Sequence, residues 1–123
     1  MKRKNDSIKS KFTALENHFL NTYFSGLYLS QRDLIAIGQR IGIEMNMNSR
    51  ELLIKELLNE SDTKGKLDAC IEAIAAVIDE RIGEYHKLSL NYPNARDAMA
   101  TLAQKANATK ALLARERRSV PYA

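Results

Sequence analysis

The stretch LDACIEAIAAVIDERIGEY, Leu67 to Tyr85, decides the fold that this sequence predicts. Its large apolar residues recur every three or four positions, as they do on one face of an α-helix. They are Leu67, Ile71, Ile74, Ile78, Ile82 and Tyr85. Alanines at positions 69, 73 and 76 give the same helix a second, smooth side. We therefore expect a helix from about Thr63 to Leu88 that lies at the centre of the molecule, because it is apolar most of the way round.

A second long helix is predicted after the chain breaks at Asn91, Pro93 and Asn94. Asn94 and Asp97 are suited to cap its start, and the pattern continues to about Arg118. Its inner stripe is Ala95, Met99, Leu102, Ala106, Thr109 and Leu113. The two long helices predict an antiparallel hairpin, in which the many alanines of the second helix permit close approach.

Three shorter helices are predicted before this hairpin. Their expected bounds are Asp6 or Ser7 to Phe24, the capping box Ser30 and Asp33 to a stop at Gly42, and Asn48 with Glu51 to Leu58. No segment alternates with period two, as a half-buried strand would. The predicted fold class is all-α, with about five helices: a short helix, an elbow and a helix, plus the long antiparallel hairpin, in one bundle. The chain length of 123 residues predicts a single domain, 1–123, with residues 1–6 and 117–123 as flexible basic ends.

Charge is unevenly distributed along the chain. Residues 1–11 carry five basic groups against one acidic group, residues 12–92 carry eight against twelve, and residues 93–123 carry six against two. Basic ends of this kind can attract the phosphates of nucleic acid. Alternatively, they fold back on the acidic middle or simply keep the protein soluble.

Hydropathy predicts no membrane association. The longest apolar candidate, ACIEAIAAVI at Ala69 to Ile78, is half the length of a membrane-spanning helix and contains Glu72. The basic N-terminus is followed by polar residues where a signal peptide would be apolar. A single cysteine, Cys70, agrees with a reducing compartment, and we expect a cytoplasmic protein.

The segment from Leu29 to Leu58 offers the first candidate site. Its matching features are Leu29, the pair Asp33 and Leu34, Ile37, the helix stop Gly42 and Ile43, and the helix opening Glu51, Leu52 and Leu53. In these features it resembles a SAP-type module, in which two helices joined by an extended loop bind DNA. The resemblance implies nucleic-acid contacts within the 40–55 elbow, through Arg40, Arg50 and Lys55, with Arg32 nearby. The alternative is that the elbow only turns a short helix pair across the end of the bundle.

The C-terminal basic residues Arg115, Arg117 and Arg118 complete the predicted nucleic-acid-binding set, since they add sequence-independent affinity for phosphate.

A second candidate site is the sequence ERIGEYH, in which Arg81 and His86 are separated by four residues. This spacing is similar to the signature of HEPN ribonucleases, small all-α proteins. The resemblance implies that His86 would be the general acid and base and that Arg81 would stabilise the phosphate. The alternative is that Arg81 pairs with a neighbouring acid and that His86 is a surface residue near a helix end.

Other chemistry is not indicated, and no cofactor or metal site is predicted. The ligand spacings of di-iron and zinc sites are absent, as are phosphate-binding loops and nucleophile elbows. The acids Asp68, Glu72 and Asp79 share one flank of the central helix, where we expect a solvated face or a docking surface for the basic ends.

We therefore expect a non-enzymatic binding protein. Nucleic acid is the leading predicted partner, and the alternative is a protein adaptor or scaffold that offers an apolar helical face to an unidentified protein. Long helices around a small, alanine-rich core also predict a homodimer, because a partner subunit would complete the core. In the alternative monomer, the three shorter helices cover the hairpin.

Overall fold

The computed structural model describes residues 10–117, and within that range it contains helices and turns but no strand. There are six α-helices in these residues: α1 Thr13–Leu20, α2 Thr22–Ser25, α3 Gln31–Arg40, α4 Arg50–Thr63, α5 Leu67–Asn91 and α6 Arg96–Ala114. One turn of 3₁₀ helix, Pro93–Ala95, joins the last two. The predicted all-α class with a long hairpin is confirmed.

Helices α5 and α6 form an antiparallel hairpin. Two ion pairs show the direction, because Arg117 lies 3.0 Å from Glu72 and Lys110 lies 2.7 Å from Asp79. The half of the hairpin next to the chain ends supplies buried residues to the core: Leu67, Cys70, Ile71, Ala73, Ile74 and Ile78 from α5, and Ala103, Ala106, Thr109 and Leu113 from α6. The central position predicted for α5 thus holds for its first three turns.

Helices α1, α3 and α4 cover this half of the hairpin. Their buried apolar side chains join one cluster with α5 and α6; they include Phe12, Leu15, Phe19, Leu34, Ile37, Leu53, Ile54, Leu57 and Leu58. The chain between α2 and α3 crosses the hairpin at Gly26. Its carbonyl accepts a hydrogen bond from the Tyr85 hydroxyl on α5, and its Cα lies against the backbone of Leu102 and Ala106 on α6. This crossing marks the point where cover of the hairpin ends.

The elbow between α3 and α4 runs back along α3. Gln31, which opens α3, donates to the carbonyl of Asn48 just before α4 (2.6 Å). Lys66, just beyond α4, donates to the carbonyl of Ile41 just beyond α3 (2.9 Å). The two starts meet and the two ends meet, so the two helices point the same way and an extended connection of nine residues, 41–49, returns between them.

The capping residues predicted from the sequence are confirmed at one helix, α3. Ser30 accepts a hydrogen bond from the Asp33 amide while Asp33 accepts one from the Ser30 amide, which confirms the predicted capping box of α3. At α4, however, the predicted cap Asn48 is wrong. The neighbouring Ser49 accepts a hydrogen bond from the Leu52 amide, and the helix continues past Leu58 to Thr63, with Ser61 buried on its inner face.

The predicted bounds of the first helix are also wrong. Ser10 accepts a hydrogen bond from the Phe12 amide, and the Thr13 hydroxyl donates to the Ser10 carbonyl, so this segment forms a turn and α1 begins only at Thr13. Near its end the helix breaks at Asn21, whose extended backbone lets its side chain cap α2. The predicted start at residues 6 or 7 lies outside the described residues.

The last helix differs in a similar way. Asn94 lies in the 3₁₀ turn and Asp97 inside the helix, while Ala95 stands at the N-cap without a side-chain hydrogen bond. The backbone of Tyr92 is not helical, with φ −133° and ψ 82°, and the ring of Pro93 fixes the φ of that proline, so the chain turns before α6 begins. The helix ends at Ala114 and not at Arg118. The two ends predicted to be flexible are residues 1–6 and 117–123. All of them except Arg117 lie outside the described residues.

Candidate binding surfaces

The elbow uses one of its predicted nucleic-acid-binding residues to hold the fold together. The Arg50 Nε donates to the carbonyl of Leu29 (2.7 Å), and the guanidinium lies over the ring of Tyr28, 4.1 Å from its centroid. One of its terminal nitrogens is buried without a hydrogen-bond partner. Arg50 therefore joins the start of α4 to the segment before α3, and its charge is only partly accessible.

The other three predicted cations of this region are exposed. The side chains of Arg32, Arg40 and Lys55 form no ion pair or hydrogen bond with any of residues 10–117. The structure does not gather them into one cluster, since Arg32 and Arg40 stand at opposite ends of α3, about 12 Å apart along its axis. Lys55 borders two shallow surface grooves of about 380 and 280 Å³, beside the acids Glu51 and Glu56.

Three basic groups near the chain ends pair with acids of the middle segment. Arg117 pairs with Glu72, Lys110 pairs with Asp79, and Lys11 lies 2.9 Å from Asp62. Arg115 is exposed, and Arg118 lies outside the described residues. Of the predicted set, Arg117 is therefore committed to an intramolecular ion pair, as expected if the acidic flank of α5 is a docking surface.

Of the predicted ribonuclease pair, Arg81 has structural partners and His86 is exposed. Arg81 donates to the Asp33 carboxylate (2.9 Å), the same carboxylate that caps α3, and lies 3.8 Å from Glu84. One of its nitrogens is buried without a partner. His86 is exposed on the last turns of α5. Arg81 thus pairs with a neighbouring acid and His86 is a surface residue, as the alternative interpretation expected. The ribonuclease hypothesis stays a prediction, and comparing RNA cleavage by the wild type and by His86→Ala would test it.

Metal-ligating side chains are scattered over the described part of the molecule. Among residues 10–117, no three His, Cys, Asp or Glu side chains lie together in a way that could hold a metal ion. Every helix in this range is too short or too polar to cross a bilayer. Cys70 is fully buried, and this burial raises the pKa of its thiol to about 11.

Sequence reasoning missed a polar junction where α1, α2 and α6 meet. The Thr109 hydroxyl is fully buried, 2.9 Å from the Ser25 carbonyl and 2.8 Å from the Nε2 atom of His18. Partial burial lowers the pKa of His18, since the charged imidazolium loses hydration. Burial likewise raises the pKa of Tyr85, whose hydroxyl donates to the Gly26 carbonyl, although the nearby Arg81 opposes that shift. The Thr109 junction and the Tyr85 hydrogen bond together fix the crossing at Gly26 to the hairpin.

Beyond that crossing the hairpin projects without cover. Residues 83–102, which we call the hairpin apex, contain no buried side chain, although they include Leu88 (40% exposed), Leu90 (82%) and Tyr92 (61%). Both Tyr85 on α5 and Leu102 on α6 contact the crossing. Six more residues of α5 follow Tyr85, and six residues of α6 precede Leu102. At 1.5 Å per residue, the helices extend roughly 9 Å past the covered part of the molecule.

The apex continues the hydrophobic face of the hairpin. On α5, Leu88 and Tyr92 lie three and seven positions after Tyr85, on the face that carries Ile74 and Ile78 in the core. On α6, Met99 lies seven positions before the buried Ala106 and shares its face. Two further exposed rings, Tyr23 (72%) and Phe24 (57%), belong to α2 at the edge of the crossing. The apolar residues on either side of the Pro93 break were the sequence signal for this surface.

Comparison with known proteins adds nothing to this description. No protein-family model, curated protein or solved structure matches the chain. The candidate surfaces are therefore interpreted from their geometry and chemistry.

Proposed function

We propose that this protein works by binding and not by catalysis, and that the hairpin apex is the surface that binds another protein. The observation that carries the proposal is the uncovered apolar face at the apex, on which Leu88 (40% exposed) and Tyr92 (61%) continue the buried face of the hairpin. Exposed apolar patches of a few hundred Å² on a folded domain commonly mark protein interaction sites. This is the adaptor or scaffold alternative drawn from the sequence.

The charge arrangement also supports a protein partner. Arg81, Lys110 and Arg117 are paired with carboxylates, and Arg50 is occupied at the elbow. These four cations are therefore less available to phosphate than their number in the sequence suggests, although pairing leaves the net charge of +4 unchanged. Aromatic residues such as Tyr92, with an apolar ring and a polar hydroxyl, are common in the centres of protein interfaces.

Site-specific photo-crosslinking would test this function. A photoreactive amino acid at position 92 would lie on the apolar face of the apex, and the same residue at position 47 would be the matched control, because Met47 (59%) is as exposed as Tyr92 (61%) but belongs to the elbow. We expect protein adducts from position 92 that are absent from position 47, identified by mass spectrometry after irradiation of cells. Equal adducts from both positions, or none from position 92, would contradict the proposal.

A second candidate function is nucleic-acid binding, favoured by the exposed Arg32, Arg40 and Lys55, whose side chains have no ion-pair partner among residues 10–117. They lie on two parallel helices joined by an extended loop, the arrangement that the SAP resemblance implies. Binding through phosphate would weaken steeply with salt, by a slope of about 0.9 per contact for duplex DNA.

Fluorescence anisotropy with labelled duplex DNA, single-stranded DNA and RNA at two salt concentrations would test this second function. The triple variant Arg32→Ala, Arg40→Ala, Lys55→Ala should lose affinity. The variant Lys110→Ala, Arg117→Ala should retain most of it, because those two cations are already paired. If no probe binds at low salt, or if both variants lose affinity equally, the elbow is not a phosphate-binding site.

A further inference from the structure

We infer that the surface groove between α1 and α4 binds a small protonated aliphatic amine, whose ammonium group pairs with the carboxylate of Glu16. The groove has a volume of about 280 Å³. Its walls are one face of α1, with Thr13, Glu16, Asn17 and Leu20, and the first half of α4, with Glu51, Leu52 and Lys55. The site is separate from the hairpin apex and does not depend on the function proposed there.

Glu16 is the unusual residue of this groove. It is the only charged residue among residues 10–117 that is buried, with 6% of its surface exposed. Its Oε2 atom accepts hydrogen bonds from the Ser10 hydroxyl and from the side-chain amide of Asn59, and both of these donors are neutral. Because a carboxylate that leaves water is costly to bury without an opposite charge, Glu16 favours the approach of a cation.

No cation of the described residues supplies that charge. Glu16 forms no ion pair with any of residues 10–117, and its second oxygen, Oε1, accepts no hydrogen bond from them. Oε1 is not one of the buried polar atoms that lack a partner, so solvent reaches it. Since Glu16 lines the groove, a dissolved cation can approach this oxygen there.

Lys55 lies in the same groove but leaves Glu16 open. Its side chain is exposed and forms no ion pair or hydrogen bond within residues 10–117. A lysine side chain fixed in one conformation loses up to about 2 kcal/mol of conformational entropy, which opposes an intramolecular pair with Glu16. Lys55 therefore acts on a bound cation mainly by repulsion, and its removal should strengthen binding.

The other wall residues suit a primary ammonium group on a short alkyl chain. An ammonium group has three N–H donors and no acceptor. Besides Glu16, the Asn17 side-chain oxygen and the Thr13 hydroxyl are acceptors in the same groove. Leu20 and the half-exposed Leu52 supply apolar surface for the alkyl chain.

The charge and the size of the groove narrow the ligand further. Two carboxylates, of Glu16 and Glu51, against the one ammonium of Lys55 make the lining net negative, which favours a cation over an anion. A volume of about 280 Å³ lies at the lower end of the range for ligand pockets, so the amine is a small one.

NMR titration of the ¹⁵N-labelled protein with n-butylammonium, in about 150 mM sodium chloride, would test the inference. The matched control ligand is n-butanol, which has the same alkyl chain without the charge. We expect saturable shifts of the Thr13, Asn17 and Leu52 amide signals, with a dissociation constant in the millimolar range because so small a ligand gains at most about 1.5 kcal/mol per heavy atom. No saturable shift up to about 50 mM n-butylammonium, or equal shifts with n-butanol, overturns the inference.

A pair of charge-matched variants assigns the binding to Glu16. Glu16→Gln should weaken n-butylammonium binding at least tenfold. Glu56→Gln makes the same change of charge at an exposed acid of α4 that lines the neighbouring groove and not this one, and it should bind like the wild type. Equal losses in the two variants would mean that only the overall charge attracts the amine, which overturns the inference.

Lys55→Met tests the site with Glu16 and its hydrogen bonds left in place, and it decides the matter if circular dichroism shows that Glu16→Gln has lost helix. Removal of the like charge should tighten n-butylammonium binding about threefold. Lys64→Met, the control at a lysine outside the groove, should leave the affinity unchanged. Unchanged or weaker binding by Lys55→Met overturns the inference.

Discussion

The two halves of the α5 and α6 hairpin carry the same kind of sequence in different surroundings. In the half near the chain ends, apolar residues at helical spacing such as Ile71, Ile74 and Leu113 are at least 97% buried. In the other half, residues 83–102, the same spacing continues through Leu88, Tyr92 and Met99, and no side chain is buried. The difference shows that a helical stripe identifies which face is apolar but not what covers it. Cover depends on where the crossing at Gly26 lies.

The largest effect that separates the halves should come from removing apolar volume. Ile74→Ala would leave a cavity in the fully covered half and should lower the free energy of unfolding by about 3 to 4 kcal/mol. Leu90→Ala, at a residue 82% exposed, should change it by less than about 0.5 kcal/mol. Urea unfolding at low protein concentration, where the apex is unoccupied, would measure both. Similar losses for the two variants would mean that the apex is packed in the isolated chain.

The crossing that divides the halves should be nearly as sensitive. Gly26 has a positive φ of 79°, and a Cβ there would lie 2.6 Å from the Ala106 nitrogen and the Leu102 oxygen of α6. Backbone cannot move aside as a flexible side chain does, so we expect Gly26→Ala to lower the free energy of unfolding by about 3 kcal/mol.

Gly83 supplies the control for this substitution. It lies inside α5 on the open half, and a Cβ there would meet no atom within 4 Å. Gly83→Ala should therefore stabilise the protein by about 0.5 to 1 kcal/mol, because alanine is the better helix former. Thermal unfolding of the two variants should thus shift in opposite directions, and equal shifts would show that the close approach at Gly26 is relaxed in solution.

The spacing of apolar residues predicts some features of this molecule better than others. Spacing reports the apolar face of a helix, so the hairpin and the elbow were predictable. Local hydrogen bonds between side chain and backbone decide where helices begin, and several residues near each end can make them. At α4 both Asn48 and Ser49 are suitable caps, and only the structure shows that Ser49 is the one used.

The candidate binding residues were less predictable because their availability depends on distant partners. Arg50 and Arg40 look alike in sequence, yet Arg50 is held by Leu29 and Tyr28, while the Arg40 side chain forms no hydrogen bond or ion pair with residues 10–117. Arg117 meets Glu72, 45 positions earlier, only because the hairpin brings them together. Spacing along the chain carries no record of such pairings.

A smaller effect is expected from the polar junction that fixes the crossing. Thr109→Val keeps the side-chain shape but removes the hydroxyl, so the Ser25 carbonyl and the His18 nitrogen lose a buried partner. An unsatisfied buried group costs about 1 to 3 kcal/mol, and we expect a loss of about 2 kcal/mol. Thr101→Val, on the exposed half of α6, should be close to neutral. If the two substitutions cost the same, the Thr109 hydroxyl does not hold the crossing in place.

The smallest expected effect is a dependence on pH at the same junction. Burial lowers the pKa of His18 in the folded protein below its ordinary value of 6.5, and Arg115 and Glu116 line the groove beside it. As the pH falls below about 6.5, the unfolded chain takes up a proton that folded His18 resists, so the free energy of unfolding decreases until the folded pKa is passed.

Part of the change in the wild type will come from carboxylates, and the comparison must therefore be made between variants. His18→Gln, which keeps a hydrogen-bonding group without titrating, should lose less stability between pH 7.5 and 5.5 than the wild type, whereas His86→Gln, at an exposed residue of the apex, should behave as the wild type does. Equal pH profiles for the two variants would show that the junction admits enough water to hydrate the imidazolium, and the boundary between the covered and open halves would then be less sharp than the structure indicates.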